Sequence, residues 1–176
     1  MKRITVLLVL SLMVMNKSMA QQLPSAAQLL KQSQKVAKAE HKKIMVIFTA
    51  SWCGWCKKLK ASMANDSCAA YFKKNFIVQD FVVLERKEMK QLETPGATDL
   101  YYKHAGKDQG IPFVLLYDSK GKLLSTSKMP NGNNTGCPAT EDEVQYFIDI
   151  LNAAAPMTAE EKEHIKIVFR RNDTQH

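Results

Sequence analysis

The sequence is short of cysteine, of glycine and of long apolar runs, and each shortage excludes something. Four cysteines in 176 residues are too few to knit a small secreted domain together, so a hydrophobic core must hold the fold. Seven glycines, with 45% apolar and 24% charged residues, exclude collagen-like repeats and general disorder. An excess of one charge sign is also missing. The formal charge is +8, and Lys2, Arg3 and Lys17 supply three of it, leaving +5 spread along the chain, too mild a basic balance to point to nucleic acid. The length suits one domain.

Acids are absent from the first twenty residues, and what is there reads as an export signal. Met1-Lys2-Arg3 is a charged start, Ile4 to Met15 is apolar apart from Thr5 and Ser11, and Ser18-Met19-Ala20 offers a small-residue cleavage site. The apolar stretch is shorter than the about 20 residues a spanning helix needs, so a membrane anchor is the weaker alternative. No cysteine precedes Cys53, which leaves no site for an N-terminal lipid. The expectation is a signal peptide at 1–20 and a single domain at 21–176, soluble after cleavage, in a bacterial periplasm or secreted. Asn65, Asn133 and Asn172 begin glycosylation triplets, a pattern common by chance.

Periodicity gives the element order. Ser25 and Gln28 have capping-box spacing ahead of an amphipathic helix at 25–40, with Leu29, Leu30, Val36 and Ala37 in its repeat. Ile44 to Ala50 is a buried strand, and Trp55, Leu59 and Met63 mark one face of the helix that follows. Asp66 or Ser67 caps a short helix through Phe72, and Phe76 to Leu84 is a second strand. Glu85 to Glu93 packs six charges into nine residues, the pattern of a solvated face or loop. Ala97 to Ala105 is a helix stopped by Gly106, and Phe113–Tyr117 and Lys122–Ser125 flank a turn as a hairpin. Met129 to Pro138 is an irregular loop, Glu141 to Ala154 a helix, and Thr158 opens a last helix with Ile165, Val168 and Phe169 inward. One α/β domain accounts for this order.

The chemistry gathers at Trp52-Cys53-Gly54-Trp55-Cys56, where the first strand gives way to a helix. A helix N-terminus offers unpaired N–H groups and a positive dipole end, which stabilise a thiolate at Cys53. Cys56 follows one turn later, able to reach Cys53 but facing inward, so Cys53 is the expected exposed nucleophile and Cys56 the resolving thiol. Lys57 and Lys58 add positive potential. Zinc would need further ligands, but Cys68 and Cys137 lie 69 residues apart and neither forms a second pair. No histidine follows Cys56, which excludes c-type haem attachment. A purely structural disulfide stays open, although it leaves the strand-to-helix position unexplained.

Phe48-Thr49-Ala50-Ser51-Trp52-Cys53-Gly54-Trp55-Cys56-Lys57 resembles the active-site segment of the thioredoxin superfamily. Gly110-Ile111-Pro112-Phe113-Val114-Leu115-Leu116-Tyr117 is similar to its cis-proline segment and the hairpin strand after it. The extra tail resembles exported bacterial members acting in thiol–disulfide interchange. The resemblance implies a central mixed β-sheet flanked by helices, with an N-terminal helix, a core at about 43–154 and an extra C-terminal helix. It implies catalysis by Cys53 and Cys56 without a cofactor or metal, and a cis Pro112 beside them. Ile111 backbone groups would bind an extended substrate, Trp52 would shield the site, and Gly54 and Trp55 would touch substrate. Partners would be protein thiols and disulfides and an unidentified redox partner. The family's buried acid six residues before the first cysteine is replaced here by Ile47, and Gly-Trp matches neither the reductase nor the isomerase dipeptide. The expected function is an exported oxidoreductase that reduces or isomerises protein disulfides; a thioredoxin-fold binding or assembly module without turnover is the alternative. In this topology Cys68 and Cys137 lie too far apart to bond to each other.

Overall fold

The computed structural model describes residues 23–173; the expected signal peptide lies outside them. Helix α1 (Ala26–Ala39) begins at Ser25, whose hydroxyl accepts the Gln28 N–H while the Gln28 side chain returns to the Ser25 N–H. Its buried face runs through Ala26, Ser33 and Ala37, and Val36 of the anticipated stripe is instead exposed. Strand β1 (Lys43–Thr49) leads into α2 (Gly54–Met63) and α3 (Asp66–Asn75). The cap of α3 is Asn65 rather than Asp66 or Ser67, because its side-chain Oδ1 accepts the Ser67 N–H, and the helix runs past Phe72. Strand β2 (Phe76–Val82) is followed by a 3-10 helix at Lys87–Leu92 and by α4 (Ala97–Ala105), which ends at Gly106 with φ 88°. Strands β3 (Phe113–Tyr117) and β4 (Leu123–Thr126) form the hairpin, and α5 (Glu141–Ala154) and α6 (Ala159–Arg170) complete the order.

The sheet is mixed, in the order β2-β1-β3-β4. β1 pairs parallel with β2 and antiparallel with β3, and β3 pairs antiparallel with β4. The continuous apolar run of β1 is explained by burial on both faces. Ile44, Val46 and Phe48 join Phe113, Leu115, α1 and α4 on one side, with Tyr101 edge-on to Phe48 at 5.4 Å between ring centres. Met45 and Ile47 join Val114, Leu116, α2, α3, α5 and α6 on the other. This is the three-layer thioredoxin-like arrangement that the resemblance implies.

α6 belongs to the core rather than being appended to it. Ile165, Val168 and Phe169 are buried, and the Phe169 ring lies 5.3 Å from Phe147 and 6.5 Å from Phe72. Phe169→Ala is therefore expected to cost about 3–5 kcal/mol through lost burial and a residual cavity. The midpoint of urea unfolding reads this directly, and a cost under about 1 kcal/mol would mean that α6 does not depend on its ring for docking.

Candidate active site

The register of the sheet brings the two sequence motifs together. Phe48 stands opposite Phe113 in the antiparallel β1–β3 pair, so the residues after Phe48 and those before Phe113 leave the sheet at the same end. The Ile111–Pro112 peptide is cis. Past the end of β1, the Cys53 N–H donates to the Ala50 carbonyl at 3.1 Å and closes a turn. Cys53 is the N-cap of α2, and its sulfur accepts the Cys56 N–H at 3.1 Å. The two cysteines form a disulfide with Cα atoms 5.3 Å apart. An amide aimed at the Cys53 sulfur stabilises the thiolate that reduction would leave there.

The expected exposed position of Cys53 is not what the fold provides. Cys53 is 2% exposed and Cys56 0%, because both pack with Ala50 and Ile111 covers them. The Ile111 carbonyl oxygen lies 3.6 Å from the Cys53 sulfur. The tryptophans form the exposed rim. Trp55, on α2, turns outward at 48% exposure, with the Lys58 ammonium 4.8 Å from its ring centre, so the inward face of α2 is Cys56, Leu59 and Met63. Trp52 is 45% exposed and donates its indole N–H to the Leu84 carbonyl at 2.9 Å. Gly54 opens α2, and a Cβ there would meet nothing, so no steric demand requires glycine. A groove of about 620 Å³ runs beside the pair, lined by Trp55, Ile111, Pro112, Asn134, Thr135 and Cys137 among others.

The family model of the thioredoxin-like domain matches residues 30–131, more than half of the chain. The chain belongs to that family. Among solved structures, the chain is similar to a disulphide isomerase from Xylella fastidiosa Temecula1, at 24% identity and TM-score 0.49, covering 87% of this chain and 98% of the other. It is also similar to Deadhead, a germline-specific thioredoxin of Drosophila melanogaster, at 17% identity and TM-score 0.37, with coverage of 60% and 82%. A DsbH oxidoreductase shares 23% identity at TM-score 0.33, with coverage of 74% and 84%. No curated protein matches the chain.

Within this thioredoxin-like domain Ile47 is fully buried in the core, opposite Asp80 of β2, whose carboxylate pairs with Lys60 of α2. Among the described residues no group of three or more His, Cys, Asp or Glu is arranged to hold a metal ion. Glu85 escaped the sequence reading. It opens the charged run read as solvated, yet it is buried beside the turn that carries the cysteine pair, accepting bonds from Ser51. The signal was faint: the residue before Trp52 is a serine, with a hydroxyl and an amide to satisfy where β1 stops.

Cys68 and Cys137 are free and buried. The Cys68 thiol faces the His164 carbonyl at 3.8 Å, whereas Cys137 accepts the Asn172 side-chain N–H at 3.4 Å. These contacts lie at points about 12 Å apart along α6 and its end, at 1.5 Å per residue. Burial pushes the Cys68 thiol up to about 11. Burial also pushes Cys137 up to about 12, with Lys58 pulling down and Glu143 pushing up as smaller effects. Thiolate is the reactive form, so the oxidised native protein is expected to take up no iodoacetamide at pH 8, and the unfolded oxidised chain two equivalents by mass spectrometry. The same shifts give a pH dependence. Above about 8.5 the unfolded chain releases thiol protons that the native state retains, so it binds fewer protons and stability falls as pH rises.

Proposed function

We propose that this thioredoxin-like protein is an exported thiol–disulfide oxidoreductase that reduces or isomerises disulfides in proteins, with Cys53 and Cys56 as its catalytic pair. The observation that carries the reading is the Cys53 sulfur at the N-cap of α2, accepting an amide from Cys56 while disulfide-bonded to it. In the reduced protein the Cys53 thiolate attacks one sulfur of a substrate disulfide, and the other sulfur leaves as a thiolate that takes up a proton. Cys56 then loses its proton and attacks Cys53. The Cys53–substrate bond breaks, the second substrate thiol is released, and the Cys53–Cys56 disulfide holds the two electron equivalents of oxidation. An outside thiol must return the pair to its reduced form.

Trp55, Ile111 and Pro112 line the groove beside the pair, which supports their role in holding an extended substrate. Trp52 supports the turn from the other side through its bond to Leu84, consistent with a shielding role. Export rests on the first twenty residues. No helix among the described residues is long and apolar enough to cross a membrane.

Cys56→Ser removes the resolving thiol and is expected to accumulate mixed disulfides through Cys53 with exported proteins, which disappear on reduction. Cys53→Ser is expected to accumulate few, since Cys56 is fully enclosed. Non-reducing electrophoresis of both variants decides the matter. Equal trapping by the two, or none by either, would leave the binding or assembly module as the better account.

A further inference from the structure

The segment after β2 is built around the active-site turn in a way that the chemistry of the cysteine pair alone does not require. Leu84 adopts φ 55°, a left-handed conformation uncommon for a bulky residue. That bend presents the Leu84 carbonyl to the Trp52 indole and turns the next side chain, Glu85, under the turn. Glu85 is 4% exposed. One carboxylate oxygen accepts the Ser51 N–H at 2.5 Å and the other accepts the Ser51 hydroxyl at 2.7 Å. Its own N–H donates to the Glu93 carboxylate at 2.8 Å, and Lys90 neutralises Glu93 from outside. Thr94 exchanges bonds with Val82, so both ends of the charged segment are fastened to the edge of β2.

An enclosed carboxylate is costly unless donors compensate it, and both bonds from Ser51 run into an acceptor. Glu85 also lines a cavity of about 350 Å³ with Ser51, Lys57, Lys60 and Asp80. Lys60 is already engaged by Asp80 and lies half-exposed. Lys57, one turn into α2, is the charged residue nearest Cys53 in sequence among those lining the cavity, and Glu85 and Asp80 are the acids that share its lining.

We propose that Glu85 is a positioning residue that sets the redox poise of the Cys53–Cys56 pair, holding Ser51 in the turn and keeping a negative charge behind Cys53. The proposal rests on the reading of that pair as redox-active. A negative charge opposes the thiolate that the helix N-terminus favours, so it raises the thiol affinity of Cys53 for its proton. Destabilising the reduced, thiolate-bearing form makes the pair more reducing. Glu85 thus biases the protein toward giving electrons to substrate disulfides.

The test uses Glu85→Gln, which is nearly isosteric and can still accept the Ser51 N–H while donating to its hydroxyl. The protein is equilibrated with glutathione, in which two glutathione thiols become one disulfide as the pair gains two electrons and two protons. The pH dependence of Cys53 alkylation is measured in parallel in the reduced protein. The expected result is a Cys53 thiol that ionises at lower pH and an exchange constant shifted about tenfold, about 30 mV, toward the oxidising side. Glu85→Asp, which keeps the charge, is expected to stay near the parent protein. An unshifted Glu85→Gln, a shift toward reducing values, or a Glu85→Asp variant displaced as far as Glu85→Gln would overturn the proposal. If Glu85→Gln does not fold, Ser51→Ala tests the same claim with the opposite sign. It strips one donor from the carboxylate, so Cys53 is expected to ionise at higher pH, and no change or a fall sinks the idea. Both readouts follow the pair itself, whereas failure to trap protein substrates would count against the oxidoreductase reading alone.

Discussion

Everything in this protein hangs on β1 being hydrogen-bonded along both edges and buried on both faces. Its two neighbours run in opposite senses, β2 parallel and β3 antiparallel, and that pairing decides which chain segments emerge beside its C-terminal end. The end of β1 delivers the cysteine pair, the start of β3 delivers Ile111–Pro112, and the end of β2 delivers Leu84 and Glu85. A one-residue slip would exchange Ile44, Val46 and Phe48 with Met45 and Ile47, putting each set into close packing built for the other.

The turn that carries the cysteine pair is consequently held from opposite sides. Ile111 covers the sulfurs on the β3 side, and Leu84 and Glu85 grip Trp52 and Ser51 on the β2 side. A third support comes from the end of α6. The Asn172 side chain accepts the Ser62 hydroxyl at 3.1 Å and donates to Pro138 and Cys137, while its carbonyl accepts the Lys58 ammonium at 2.9 Å. The final helix thereby ties the base of α2 to the loop that walls the groove. Asn172 is buried, so its glycosylation triplet has no surface on which to carry a glycan.

Most elements were legible because their signals are local. The caps at Ser25 and Thr158 close within one turn of chain, and the hairpin announces itself through Asp118 to Gly121, where Asp118 accepts the amides of Lys120 and Lys122. The cysteine pair was legible for the same reason, since one residue supplies the cap and another, one turn on, supplies the partner sulfur. Errors arose where a neighbour distant in sequence decided the outcome. Val36 and Trp55 fit their helical stripes but face outward, because the layers beneath them are already filled by Ser33 and Ala37 in α1 and by Cys56 and Leu59 in α2. Cys53 satisfies every local criterion for an exposed nucleophile, yet Ile111, 58 residues further along the chain, covers it.

The place of Pro112 beside the cysteine pair was implied by the family resemblance; local signals in the sequence carried the element order, the burial of β1 and the cysteine pair at a helix N-terminus. These follow from side-chain periodicity, backbone capping and residue chemistry within a few positions of one another. Contacts between distant segments were needed to see that Glu85 is enclosed while the residues after it lie exposed, that Phe169 of α6 reaches both Phe147 and Phe72, and that Ile111 covers the cysteine pair. Burial of a charge or a thiol depends on which donors and apolar surfaces converge on it from other elements. Glu85 can leave water only because the Ser51 amide and hydroxyl, 34 residues away in the chain, meet it at the end of β1.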